Sequence, residues 1–155
     1  MIYEDKSYYT QKDFDVISFH DCAIHSMYFN DEEKKFFLDI DFITEWIINP
    51  GEAISFKVAP ATLVFNNVLD MRIDIDLSCC SKLELPSIDG VRYVVEKNDN
   101  GYIFSKFIVD LHEGCIVLYS ESYEIYLRKS PILSNMTLPN KERGVPSFDL
   151  IRYDD

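Results

Sequence analysis

The sequence predicts a mainly β protein, an antiparallel two-layer sandwich or curled sheet with few short helical turns. Three observations predict it. Leu38-Asp39-Ile40-Asp41-Phe42 and Met71-Arg72-Ile73-Asp74-Ile75-Asp76-Leu77 largely alternate apolar and charged residues, mostly acidic, which on a strand puts oil on one face and carboxylates on the other. Asp89-Gly90, Asn100-Gly101 and Glu113-Gly114 recur about a dozen residues apart, the spacing of hairpin corners. No long stretch carries an apolar period of 3.6, the mark of an amphipathic helix.

Taken in order, residues 1–21 form a polar entry segment with one strand at Asp15–Phe19. Ala23–Asn30, the polar tip Asp31-Glu32-Glu33-Lys34 and Lys35–Ile48 make a hairpin. Pairing Asn30 with Lys35 groups Ala23, Met27 and Phe29 with Phe36, Leu38, Ile40 and Phe42 and sets His25 opposite Ile40. Pairing Asn30 with Lys34 would set His25 opposite Asp39. The first register buries more apolar surface and is the expected one. Pro50-Gly51 ends the hairpin, and a strand follows over Ala53–Val58. Ala59-Pro60-Ala61 breaks the chain again before Thr62-Leu63-Val64-Phe65, whose apolar run suits a strand covered on both faces. Asn66-Asn67 turns into the second acidic strip. Between the glycine corners lie strands at Val91–Glu96, Tyr102–Leu111 and Cys115–Leu127; in the middle one Ile103, Phe107, Val109 and Leu111 share a face with Ser105. Apolar bulk on both of its faces calls for two packed sheets or one curled on itself. Beyond Leu127 the chain becomes loop-like, with one helical turn opened by Pro139 and stopped by Gly144.

At 155 residues the chain fits a single domain, 1–155, with 128–155 a loop-rich C-terminal extension packed on it. The hydrophobic share of 47% and aromatic share of 14% exclude a disordered chain. A net charge of -12 repels phosphate backbones and anionic membranes, so the expected partner is a basic protein and not nucleic acid or membrane. Residues 1–127 hold 10 basic and 23 acidic side chains, whereas residues 128–155 hold 5 and 4. With no secretory pattern after Met1 and no apolar run of spanning length, a cytoplasmic location is expected. Cys22, Cys79, Cys80 and Cys115 are then free thiols, and no cofactor is expected.

Four groups of residues could carry chemistry. Asp39 with Asp41, and Asp74 with Asp76, place pairs of carboxylates ~7 Å apart on a strand face, and on the wet side of a sheet they form an acidic binding face. Trp46, the sole tryptophan, ends the first acidic strand; tryptophans are enriched at binding hot spots and are also common core fillers. Tyr119, Tyr123 and Tyr126, with Ser120, Glu121 and Ser122, form a mixed polar and aromatic patch of a kind that can bind protein and that sheet positions also collect by chance. His20, Asp21 and His25 are the remaining cluster. On one regular strand an offset of five sends the two histidines to opposite faces, so a shared metal would need a bend at Asp21-Cys22. The chain holds no Gly-x-Ser-x-Gly elbow, glycine-rich phosphate loop or His-Glu-x-x-His helix.

His20-Asp21-Cys22-x-Ile24, Leu38-Asp39-Ile40-Asp41-Phe42-Ile43-x-Glu45-Trp46, Val58-Ala59-Pro60-Ala61-Thr62-Leu63-Val64-Phe65, and Arg128-Lys129-Ser130-Pro131-Ile132-Leu133 through Glu142-Arg143-Gly144 together resemble an uncharacterised family of small bacterial cytosolic proteins. In texture the chain is also similar, more weakly, to the immunity proteins of bacterial toxin systems, which are small, acidic and often β-rich. These likenesses imply no catalytic residue. The expected function is a non-enzymatic protein-interaction module with an acidic binding face at Asp39, Asp41, Asp74, Asp76 and Trp46, toxin-neutralising on the second likeness. The alternative is a metal-assisted hydrolase around His20, Asp21 and His25.

Overall fold

The computed structural model describes residues 6–78 and 84–155 and shows a mainly antiparallel β protein. Its strands are β1 (Tyr8–Thr10), β2 (Cys22–Asn30), β3 (Lys35–Ile47), β4 (Ser55–Asn66), β5 (Asp70–Ile75), β6 (Ser87–Lys97), β7 (Ile103–Leu111), β8 (Gly114–Ser120), β9 (Ser122–Leu127) and β10 (Ile132–Ser134). A 3-10 helix spans Gln11–Val16 and a single α-helical turn, α1, spans Asn140–Arg143. One hydrogen-bonded path runs β1-β9-β4-β3-β2-β6-β7-β8-β5, with β10 added to β4. β2 pairs with β6 only briefly, at Cys22 and Ala23 opposite Ile88 and Ser87, with the flanking Asp21 and Ile24 amides donating to the Ile88 and Pro86 carbonyls at 2.8 Å. Around that short seam the sheet curls, so that rings from opposite ends of the path meet: Phe107 of β7 lies 5.3 Å from Phe65 of β4 and 5.7 Å from Tyr123 of β9.

The alternation in β3 places Phe36, Leu38, Ile40 and Phe42 in this core, opposite Phe65, Leu63, Ala61 and Ala59 of β4. Ile125 and Leu127 extend the layer, and Phe107, Val109, Leu111, Ile116 and Leu118 close it from β7 and β8. Ser105 is buried beside them, as the shared face of β7 predicts. β8 passes into β9 through Glu121 alone, a strand that changes layers at a corner. The Asn66 carbonyl pins that corner by accepting the Ser120 hydroxyl and, at 3.0 Å, the Glu121 amide. Among the described residues no helix is long and apolar enough to cross a membrane.

Several local expectations are corrected. Residues 15–19 form no strand, because Thr10 caps the 3-10 helix and Asp13 returns its carboxylate to the Thr10 amide at 2.8 Å. Pro60 does not break β4. Its carbonyl accepts the Arg128 amide at 2.9 Å, on the side where β10 pairs with residues 56–58 and β9 with 61–66. A residue's N–H and C=O leave a strand on the same side, so the donor that proline lacks would have faced the junction between those two neighbours. Asp89-Gly90 is no hairpin corner but a bulge inside β6, where the register shifts between Ile88 and Gly90. Gly101 and Gly114, at φ 80 and 152, do turn the chain. α1 follows Pro139 and is stopped by Gly144 at φ 84. The Cys79-Cys80 pair lies outside the described residues; Cys22 and Cys115 are free.

Candidate functional site

The alternation of β3 that buries Leu38 and Ile40 turns Asp39 and Asp41 to the other side of the sheet, as expected. That side is not wet. The C-terminal segment folds back across it, with Phe148 against Tyr28 and Phe37 at ring distances of 5.6 and 6.2 Å, and with the Tyr153 amide donating to the Leu127 carbonyl at 2.9 Å. Asp39 and Asp41 are therefore buried and belong to no exposed acidic face.

The segment supplies the countercharge itself. Arg143, at the end of α1, is buried and forks across both carboxylates: Nη1 and Nη2 donate to Asp39 at 3.0 and 2.7 Å, and Nε to Asp41 at 2.9 Å. Arg128 donates from Nη2 to Asp39 at 2.6 Å and from Nη1 to the Thr62 hydroxyl at 2.7 Å. The Ser147 and Leu138 amides complete Asp39 and Asp41 at 3.0 and 2.9 Å. Burial works to raise the Asp39 carboxyl, but the hydrogen bonds and charges of Arg143 and Arg128 outweigh it and hold the group below the usual carboxylate range. Two acids meet two guanidiniums, so the centre is internally neutral. Its planar, bidentate geometry suits arginine and not lysine. Desolvation of the four charged groups offsets much of their attraction, so the net stabilisation is smaller than the number of bonds suggests.

The β2–β3 hairpin adopts the expected register from Asn30↔Lys35 to Ser26↔Asp39. A bulge between Ile24 and Ser26 then removes His25 from the apolar face. Its Nε2 lies 3.0 Å from Asp41 Oδ1, out of line for a hydrogen bond. His25 thus pairs with neither Ile40 nor Asp39, and it does not converge with His20. The exposed His20 ring approaches Asp21 at 3.4 Å and the Asp89 carbonyl at 3.2 Å, while Asp21, at φ 60, takes His112 at 3.3 Å on its other oxygen. A cavity of about 30 Å³, lined in part by Asp21 and Asp41, lies in this region. Among the described residues no group of three or more His, Cys, Asp or Glu is placed to hold a metal ion. Cys22 is fully buried, and burial pushes its thiol up to about 12, so no nucleophilic thiolate forms there.

Asp74 and Asp76 stay exposed, and apart from Asp39 and Asp41. Asp74 sits on β5, the last strand of the path, where Arg72 approaches it at 3.7 Å; Asp76 lies just past the strand and accepts the Ser78 amide at 2.8 Å. Charges along an outer strand also guard it against pairing with other chains. Trp46 is half-buried, its ring 5.1 Å from Phe56 and 6.2 Å from His20. It fills space at the core edge and also walls a cleft of about 340 Å³ between the 3-10 helix and the end of β3.

Comparison with known proteins finds no matching family model, curated protein or solved structure.

The residues to which the sequence assigned no role in a site are Arg128, Arg143 and His112. A signal for the first two was present: an acidic body followed by a tail with a positive balance, and carboxylates spaced between residues that must be buried. His112 reaches Asp21 because both flank β6, whose Ile88 and Ser87 carbonyls accept the Asp21 and His112 amides at 2.8 and 3.0 Å, a contact across 91 residues that spacing cannot show.

Proposed function

We propose that the protein is a non-enzymatic interaction module that holds a basic protein partner against its acidic exterior, with a bacterial toxin the partner class that the likeness in texture favours. One observation supports this reading above the others. The buried centre sets two aspartates against two arginines, which leaves 25 acidic against 13 basic residues in the rest of the chain, and the whole -12 falls outside the network. A surface of this sign steers a cationic partner toward it and penalises anionic competitors. Asp74 and Asp76 remain candidates for contact. Asp39 and Asp41 act one step back, by fastening the segment that covers β3.

The test is calorimetry between the purified protein and basic candidates, beginning with the products of neighbouring genes, over a range of salt concentrations. Binding that weakens as salt rises, with slower association for a protein carrying both Asp74→Asn and Asp76→Asn, supports the proposal. Binding that ignores salt, or failure of every basic candidate to bind, overturns it.

A further inference from the structure

The cleft beside Trp46 combines features that surface acidity alone does not supply. Its walls include the rings of Tyr9, Phe42 and Trp46, and Asp13, Asp15 and Glu45 stand among its lining carboxylates. At about 340 Å³ it lies at the small end of the ~300–1,000 Å³ range of ligand sites. The chain already uses these walls for a cation: Lys6 Nζ lies 5.3 Å from the centre of the Tyr9 ring and pairs with Asp13. Lys57 reaches Glu45 at 3.2 Å. Asp15 is exposed and, among the described residues, has no cation within ion-pair distance.

We propose that this cleft receives an arginine side chain of the basic partner, with the guanidinium over the aromatic wall and its N–H groups directed to Asp15. The inference rests on the function proposed above and names the contact that would make it specific. Arginine fits better than lysine because a flat, weakly hydrated guanidinium stacks on a ring and forks to a carboxylate at once. The attraction is complementary in charge, and the rings exclude water from one side of it.

Trp46 is the sole tryptophan and part of the cleft wall, so all tryptophan emission arises at this site. The probe is acetyl-Gly-Arg-Gly-amide, with the citrulline peptide as its uncharged counterpart of the same shape. The arginine peptide is expected to shift Trp46 emission saturably and the citrulline peptide to leave it unchanged. Asp15→Asn should weaken the arginine peptide about fivefold, and Asp15→Lys should abolish its effect, with circular dichroism showing both variants folded. Equal responses to the two peptides, no response to either, or an undiminished response in both variants overturns the cleft assignment. Failure here is separable from failure of the broader reading. A basic partner whose salt-dependent binding is untouched by Asp15→Lys removes the cleft and keeps the acidic surface. A cleft that takes the peptide in a protein binding no basic partner keeps the site and removes the proposed function.

Discussion

At the scale of single residues, Arg143 is the side chain on which most depends, because it satisfies two buried carboxylates at once. Replacing it with methionine leaves Asp39 and Asp41 buried with part of their countercharge gone, and breaking such a pair from one side costs about 3–5 kcal/mol. Urea unfolding of Arg143→Met should show a loss of that size, whereas Arg92→Met, which removes an exposed and solvent-screened partner of Asp110, should leave the unfolding midpoint nearly unchanged. The same centre sets an acid limit. Unfolded Asp39 takes up a proton near pH ~3.9, while the folded carboxyl holds out to lower pH. Its contribution is therefore whole above the unfolded value and drains away as pH falls through the folded one. The stability of Asp39→Asn, already lower at neutral pH, should fall less steeply across that acid window; parallel curves for the two proteins would contradict the assignment.

At the scale of elements, the sequence revealed most where one residue type admits one role. The alternation in β3 announced its two faces, and Gly101 and Gly114 announced their turns. Legibility failed where a neighbour distant in the chain decides the outcome. Pro60 looks like a breaker until the gap between β9 and β10 is known, and Asp39 looks solvated until Arg143 arrives from 104 residues away. Asp89-Gly90 looks like a turn, yet β6 continues through it because pairing with β7 persists on both sides. Gly114 shows what such close approach demands. A Cβ at this position would meet the Asp74 carbonyl oxygen at 1.9 Å, so Gly114→Ala must push β5 away from β8. Hydrogen exchange should speed up along β5 in that variant and stay slow in β3 and β4.

At the scale of the whole molecule, two kinds of electrostatics act under different rules. The excess of -12 lies outside the neutral core network and repels itself through water, where salt screens it within ~8–10 Å at about 0.1–0.15 M. The core network is shielded from solvent and responds far less. Raising sodium chloride from low concentration should therefore stabilise the free protein, in a melting temperature that climbs and then levels off, while the same change loosens a basic partner. A melting temperature that falls with added salt would mean that attractive surface pairs outweigh the repulsion.

The order of synthesis gives the arginine clasp a further consequence. Asp39 and Asp41 emerge from the ribosome long before Arg128 and Arg143, so the growing chain carries a pair of unanswered anions until its tail follows. Like charges on nascent strands oppose sticking between neighbouring copies. In the folded protein the guanidiniums answer those anions and the tail covers the same ground, so protection by charge has given way there to protection by packing.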